Sequence, residues 1–254
     1  MIYCDAHIHL QNCSNISFLD VNNYFACSAT HSKTEFLTLC NIENQLNGKP
    51  NSTSQIKIFK SFGIHPQNTA SVFFSFLEDL LKLQKIDAIG EIGFDLYSQE
   101  FKQTIKQQEA AWYLQLELAE KYQKPIIIHC RKAMHLLFRD SKLLKRVPSV
   151  IMHSFPGSLV EAHSFLERGV NAYFSCGKQI LHNNKQALNC VTAIEKEHLL
   201  LETDAPYQTL KNEKETKPND IVKVYKKASQ LREISIFELS NQLEKNFIKC
   251  FQGL

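Results

Sequence analysis

A closed (β/α)8 barrel is the fold this sequence predicts, and three observations predict it. The chain has 254 residues, close to the size typical of one eight-stranded α/β barrel. Eight short apolar runs alternate with helical patterns, the order that builds a parallel sheet with helices outside. Metal-ligand residue types recur at the C-terminal ends of these runs. A parallel barrel gathers its strand C-termini around one point, so residues far apart in sequence would meet in one pocket.

The strands are expected at roughly 2–10, 22–28, 56–64, 86–92, 125–130, 149–153, 170–176 and 198–204. Each run is rich in β-branched or aromatic residues and bounded by Gly, Pro, Asn or charge. Ile126-Ile127-Ile128 and Leu199-Leu200-Leu201 are nearly continuous apolar runs, as strands buried on both faces are. Helical patterns fill 32–46, 71–84, 100–123, 132–146, 158–168, 178–196 and 219–231, and a last helix is expected over about 235–251. In 100–123 the spacing of Phe101, Ile105, Trp112, Leu116 and Ala119 is the clearest. The first unit is short. About eleven residues separate Leu10 from Asn22, near the minimum for a parallel crossover, so its helix should be a single turn. The polar stretch 209–219 reads as a long exposed loop. Length alone would allow two small domains, but there is no repeat, low-complexity segment or interdomain linker, so residues 1–254 are read as one domain.

At 44% hydrophobic and 22% charged, the chain can bury a large core. A formal charge of +3 permits a polyanionic substrate without arguing for one. The eight cysteines form no C-x-x-C pair, and Cys27, Cys130 and Cys176 lie in apolar runs. Met1-Ile2-Tyr3-Cys4 leads directly into a motif, with no signal-peptide pattern. These features predict a reduced, cytoplasmic protein whose cysteines are buried small hydrophobes. No apolar stretch is long enough to span a bilayer.

His7 and His9 stand two apart at a strand end and share a face; imidazole is a common ligand of divalent metals. Glu91, in Gly90-Glu91-Ile92-Gly93, ends a buried strand, where a carboxylate is costly unless paired or coordinated. It either bridges metals or pairs with a lysine. His129 and His153 close successive strands in equivalent positions. Arg131 would face the same mouth and could hold a phosphate or carboxylate through a bidentate contact, or form a structural ion pair. Asp204 ends the last strand and could ligate metal and take a proton from water; Glu202 is the competing carboxylate. His65, in Gly63-Ile64-His65-Pro66, is assigned to substrate rather than metal by its position. His31, His135, His163, His182 and His198 read as surface or capping residues.

Taken together, six segments resemble the TatD-like metal-dependent hydrolases, often called TatD deoxyribonucleases, of the amidohydrolase superfamily. They are Asp5-Ala6-His7-Ile8-His9-Leu10, Gly63-Ile64-His65-Pro66, Gly90-Glu91-Ile92-Gly93-Phe94-Asp95, Ile128-His129-Cys130-Arg131, His153-Ser154-Phe155-Pro156-Gly157 and Leu201-Glu202-Thr203-Asp204-Ala205-Pro206. They occur in the family's order along nearly the whole chain. The resemblance implies a TIM-type barrel with two divalent metal ions, of which Mg, Mn, Zn and Fe all suit the donor set. His7, His9 and Asp204 would hold one, His129 and His153 the other, and Glu91 would bridge them. The chain departs from the family at Lys132, where aspartate is common. It also carries Lys217-Pro218-Asn219 where an Arg-rich stretch ending in Asn-x-Pro is usual.

The expected activity is a deoxyribonuclease in which water activated by two metals attacks a phosphodiester. Glu91 and Asp204 are the catalytic residues, Arg131 and His65 hold the phosphate, and Tyr97 contacts the sugar or base. DNA is the expected partner, with no membrane and no identifiable protein partner. The alternative is ester or amide hydrolysis of another substrate, such as an aminoacylated nucleic acid or a small molecule. A non-catalytic scaffold is disfavoured because all six ligand types are present.

Overall fold

The computed structural model describes residues 1–16, 23–47, 55–69 and 73–252. Among them, eight strands form one sheet in sequence order: β1 (Tyr3–Ile8), β2 (Asn23–Thr30), β3 (Gln55–Phe62), β4 (Ala88–Asp95), β5 (Ile126–Arg131), β6 (Val150–Met152), β7 (Ala172–Cys176) and β8 (Leu199–Leu201). Every paired neighbour is parallel. The helices are α1 (Lys33–Asn47), α2 (Phe73–Lys82), α3 (Gln99–Gln103), α4 (Ile105–Tyr122), α5 (Met134–Arg139), α6 (Ser141–Leu144), α7 (Leu159–Glu167), α8 (Lys185–Ala193), α9 (Ile221–Arg232) and α10 (Ile236–Gln252). The first crossover holds only a 3-10 turn at Leu10–Asn12 among the described residues. The expected strand start at 22 and helix start at 71–72 lie outside the described residues.

The ring closes between its first and last strands at the C-terminal mouth. Asp204 N–H donates to His7 O at 2.9 Å and His9 N–H to Ala205 O at 2.8 Å. Below them the buried Asp5 carboxylate accepts from Thr203 N–H at 2.9 Å and Thr203 hydroxyl at 2.6 Å. The seam therefore fixes the two ends of the chain's ligand series against each other.

Two apolar layers follow from the strand period. Cys4, Ala6, Phe25, Cys27, Phe59, Ala88, Ile127, Ile151, Tyr173 and Leu200 fill the barrel, and Phe247 and Phe251 of α10 join them. Ile8, Ile89, Ile92, Ile126 and Ile128 pack outward with the helices. Strict alternation from Cys4 and Ala6 would turn Ile8 inward and His7 outward. The register shifts between Asp5 and Ile8, and again on β4 between Gly90 and Ile92. Such bulges re-aim side chains. Here they bring His7, His9 and Glu91 into the mouth.

Three expectations need correction. The pattern over 132–146 forms two short helices, α5 and α6, because Asp140 stands between them. The pattern over 178–196 resolves into a 3-10 turn at Lys178–Ile180, α8 and a second 3-10 turn at Lys196–His198. The stretch 209–219 is not simply exposed: Thr216 and Pro218 are buried. The fully buried Lys178 ammonium donates to the Glu213 carboxylate, to Thr216 Oγ1 at 3.1 Å and to Asp220 Oδ2 at 3.1 Å.

Candidate metal centre

The mouth of the barrel gathers all six residues expected as ligands, and Glu91 lies at their centre. Its Oε1 faces His9 Nε2 at 3.2 Å and His7 Nε2 at 3.4 Å. Its Oε2 faces His153 Nε2 at 3.1 Å and His129 Nδ1 at 3.5 Å. Asp204 Oδ1 stands 3.5 Å from His7 Nε2 and 3.6 Å from His9 Nε2. One carboxylate thus divides the histidines into two sets, one per oxygen.

Three of the four rings, those of His9, His153 and His129, are oriented from behind. His9 Nδ1–H donates to Ala29 O at 3.1 Å, which leaves Nε2 for the centre. His153 Nδ1–H donates to Glu202 Oε1 at 3.2 Å. That same oxygen accepts from Ser154 N–H at 2.8 Å and Ser154 hydroxyl at 2.7 Å. His129 turns its Nε2 to Asp95 Oδ2 at 3.1 Å and its Nδ1 to Glu91. Metal-ligating histidines characteristically have such partners on their other nitrogen.

The donors also suit a cation electrostatically. Burial pushes the Glu91 carboxyl up, but His7 and His153, with hydrogen bonds from His129 and His153, outweigh it and hold it well below the usual carboxylate range. Burial pushes His9 down, but Asp204 and Glu91 outweigh it and raise it to about 10. The Nε2 atoms of His7 and His9 lie 3.2 Å apart, and the buried His7 Nδ1 has no hydrogen-bond partner. Ring nitrogens and carboxylate oxygens converging on one buried point fit a bound cation, which would take the place of the proton now held between His9 and the carboxylates. Among the described residues, donor atoms within 4.8 Å of one another form four triads: His7–His9–Asp204, His7–Glu91–His153, His9–His31–Glu91 and His65–Glu91–His129.

Two of those triads contain residues read differently from the sequence. His31 is not a surface or capping residue. Its Nδ1 bonds Gly63 O at 3.1 Å and its Nε2 stands 3.1 Å from Glu91 Oε1. β2 runs on to Thr30, so His31 follows a strand end as the other histidines do, and the expected end at residue 28 hid it. His65 Nε2 lies 3.9 Å from Glu91 Oε2, within one of the groups that could hold a metal. Asp95 is the other residue missed, and Glu202, weighed as the carboxylate competing with Asp204, instead bonds His153 from behind. Both sit in the quoted motifs, at strand ends and in phase with a ligand. His135, His163, His182 and His198 lie away from the cluster, as expected.

Arg131 and Asp204 line the same basin, a cavity of about 380 Å³. The Arg131 guanidinium stacks 4.0 Å from the Tyr97 ring centroid and stands 3.7 Å from Asp95 Oδ2. Tyr97 is 55% exposed and meets the basin through Arg131. Lys132 has a φ of 56°, and its ammonium lies 4.8 Å from the Tyr97 ring centroid. Tyr207 adds a second exposed ring, edge-on to His9 at 5.1 Å between centroids.

An eight-stranded parallel barrel whose mouth holds a His/Glu/Asp donor cluster defines the chain as a metal-dependent hydrolase. The family model for TatD related DNase matches residues 4–252, and the chain belongs to that family. A 3′-5′ ssDNA/RNA exonuclease TatD of Klebsiella pneumoniae is 33% identical over 149 residues, 57% of this chain and 56% of that protein. The aligned stretch thus spans about half of that relative. An uncharacterized metal-dependent hydrolase of Buchnera aphidicola is 28% identical over 99% of both chains. The crystal structure of YjjV, a TatD homolog from Escherichia coli, superposes with a TM-score of 0.80 at 23% identity, covering 98% of each chain. Among the described residues, no helix is long and apolar enough to cross a membrane.

Proposed function

We propose that the chain is a deoxyribonuclease that shortens single-stranded DNA from an end, with two divalent metal ions bound by one barrel formed from residues 1–254. The observation that carries this reading is the division of histidines between the two oxygens of Glu91. His7, His9 and Asp204 would hold one ion, His129 and His153 would hold the other, and Glu91 would contribute to both. The exonuclease name of the Klebsiella relative supports nucleic acid as the substrate class.

Bound divalent metal supplies Lewis acidity, lowering the pKa of water and offsetting phosphate charge. The residues do the rest. Asp204 Oδ1 faces the centre, while Oδ2 accepts from the Gln208 amide at 2.9 Å, and this carboxylate takes the proton of the attacking water. Arg131, pre-oriented by Tyr97 and Asp95, binds a non-bridging phosphate oxygen. Its guanidinium geometry suits that contact. His65 donates to the same phosphate from the opposite wall, and Tyr97 contacts the sugar or base.

The test is hydrolysis of an end-labelled single-stranded DNA oligonucleotide with Mg, Mn or Zn, beside Glu91→Ala. Metal-dependent shortening that falls by at least about 100-fold in a folded variant supports the reading. Near-normal hydrolysis by Glu91→Ala with metal retained sinks the assignment of Glu91. An oligonucleotide left intact by metal-loaded protein moves the substrate to another ester or amide.

A further inference from the structure

The metal basin has a neighbour. A second cavity of about 450 Å³ opens toward the ends of β6, β7 and β8 and shares His129, Arg131, His153 and Asp204 with the basin. Its far wall carries Ser154, Gln179, Asn184, Gln186 and Gln208. That wall has no charged side chain. A second phosphate desolvated against it would lack the charged donors that phosphates favour. A neutral ligand with several hydrogen-bonding atoms suits it better.

The direction of its hydrogen bonding is fixed by the backbone. Gln179 Oε1 accepts from Gly177 N–H at 2.8 Å, and Asn184 Oδ1 accepts from Ala187 N–H at 3.1 Å. Only the oxygen of an amide can meet a backbone N–H. Each NH2 group is therefore left over, and among the described residues neither donates to a protein acceptor, Asn184 being exposed and Gln179 half-buried. Gln208 is set the other way. Its NH2 donates to Asp204 Oδ2 and to the Ser154 hydroxyl, which leaves its oxygen as an acceptor. The wall offers donors at Gln179 and Asn184 and an acceptor at Gln208. The edge of Phe155 and Pro156 lie beside them.

We propose that this second cavity is a nucleobase subsite. The base of the terminal nucleotide lies against the exposed Pro156 ring, with its edge acceptors met by Gln179 and Asn184. This rests on the nucleic-acid reading and deepens it. Every base carries acceptors of this kind, N7 and N3 on purines and O2 on pyrimidines. The subsite accordingly requires a base while tolerating its identity. It also requires that base to be unpaired and unstacked, which selects single-stranded ends.

The experiment is calorimetric titration of the Mn-loaded protein with a deoxynucleoside 5′-monophosphate and with 2-deoxyribose 5-phosphate, which lacks the base. The wild type is expected to bind the nucleotide about tenfold more tightly, the worth of two ordinary hydrogen bonds. The double variant Gln179→Met, Asn184→Ser keeps an oxygen to cap α8 but removes both NH2 groups. It should bind the two ligands within about twofold of each other. Equal affinities in the wild type overturn the subsite, as does an undiminished preference in a folded variant. Base-dependent binding beside an uncut oligonucleotide would keep the subsite and discard the nuclease reading.

Discussion

Glu202 shows how much of a metal centre is built one residue behind its ligands. It is fully buried, it does not line the basin itself, and three hydrogen bonds, one of them from His153, converge on one of its oxygens. Its carboxylate is an obligate acceptor, so His153 must keep its proton on Nδ1 and offer the lone pair of Nε2 forward. Glu202→Gln retains the size and an acceptor oxygen but loses the charge that steadies a ligated imidazole. Metal affinity, read by titration calorimetry, is expected to fall about 10–100-fold, the range typical of losing such a partner. Unchanged affinity would reduce Glu202 to a packing residue. Nothing in the local sequence separates it from Asp204, because both lie near the end of β8 and in phase. Only the turn after the strand decides. Asp204 has a φ of 56°, and that left-handed step swings its carboxylate out over His7 and His9.

At the scale of elements, strand ends were legible and strand phase was not. Apolar runs bounded by turn residues locate the eight strands to within a few residues, and a parallel barrel makes their C-terminal ends one place. Whether a given side chain points inward depends on bulges, which alternation cannot foresee. His7 and Glu91 reach the mouth only because β1 and β4 each slip once. His31 was hidden by a related error of length. The loop after β8 was misjudged because its polar composition disguises an internal anchor, the buried Lys178. Lys178→Met should cost about 3 kcal/mol, the low end for unpairing a buried charge. It should also open residues 209–217 to proteolysis. Wild-type-like cleavage kinetics in a folded variant would show that the anchor is dispensable. Acid should weaken the same anchor. Burial pushes the Asp220 carboxyl up, but Lys223, the Lys217 N–H and Lys178 outweigh it and hold it below its ordinary value. A carboxyl depressed in the folded state stabilises above its unfolded pKa, about 3.9, and that contribution is lost as pH falls further. Limited proteolysis of the loop should therefore accelerate below about pH 4, and a flat profile across that range would contradict the ion-pair account.

For the whole molecule, the order of the ligands along the chain matters as much as their identity. His7 and His9 stand at the first strand, Glu91 at the fourth, His129 and His153 at the fifth and sixth, and Asp204 beyond the eighth. No partly folded segment holds more than a fragment of this set. The seam hydrogen bonds from His9 N–H to Ala205 O and from Asp204 N–H to His7 O form only when the ring is complete. An ion binding this set therefore binds the closed barrel and scarcely the unfolded chain. By linkage, metal at about 100 times its dissociation constant adds about 2.7 kcal/mol to stability. A chain of this size gains roughly 2–4 °C per kcal/mol, so the unfolding midpoint should rise by about 5–10 °C on adding metal to stripped protein. Glu91→Ala should lose most of that rise, because Glu91 stands between both halves of the donor set. His163→Ala, on the outer surface near Glu195, should keep it. A midpoint indifferent to metal in the wild type would mean that the cluster is held by its own ion pairs alone. The converging histidines and carboxylates would then be a structural network rather than a metal centre.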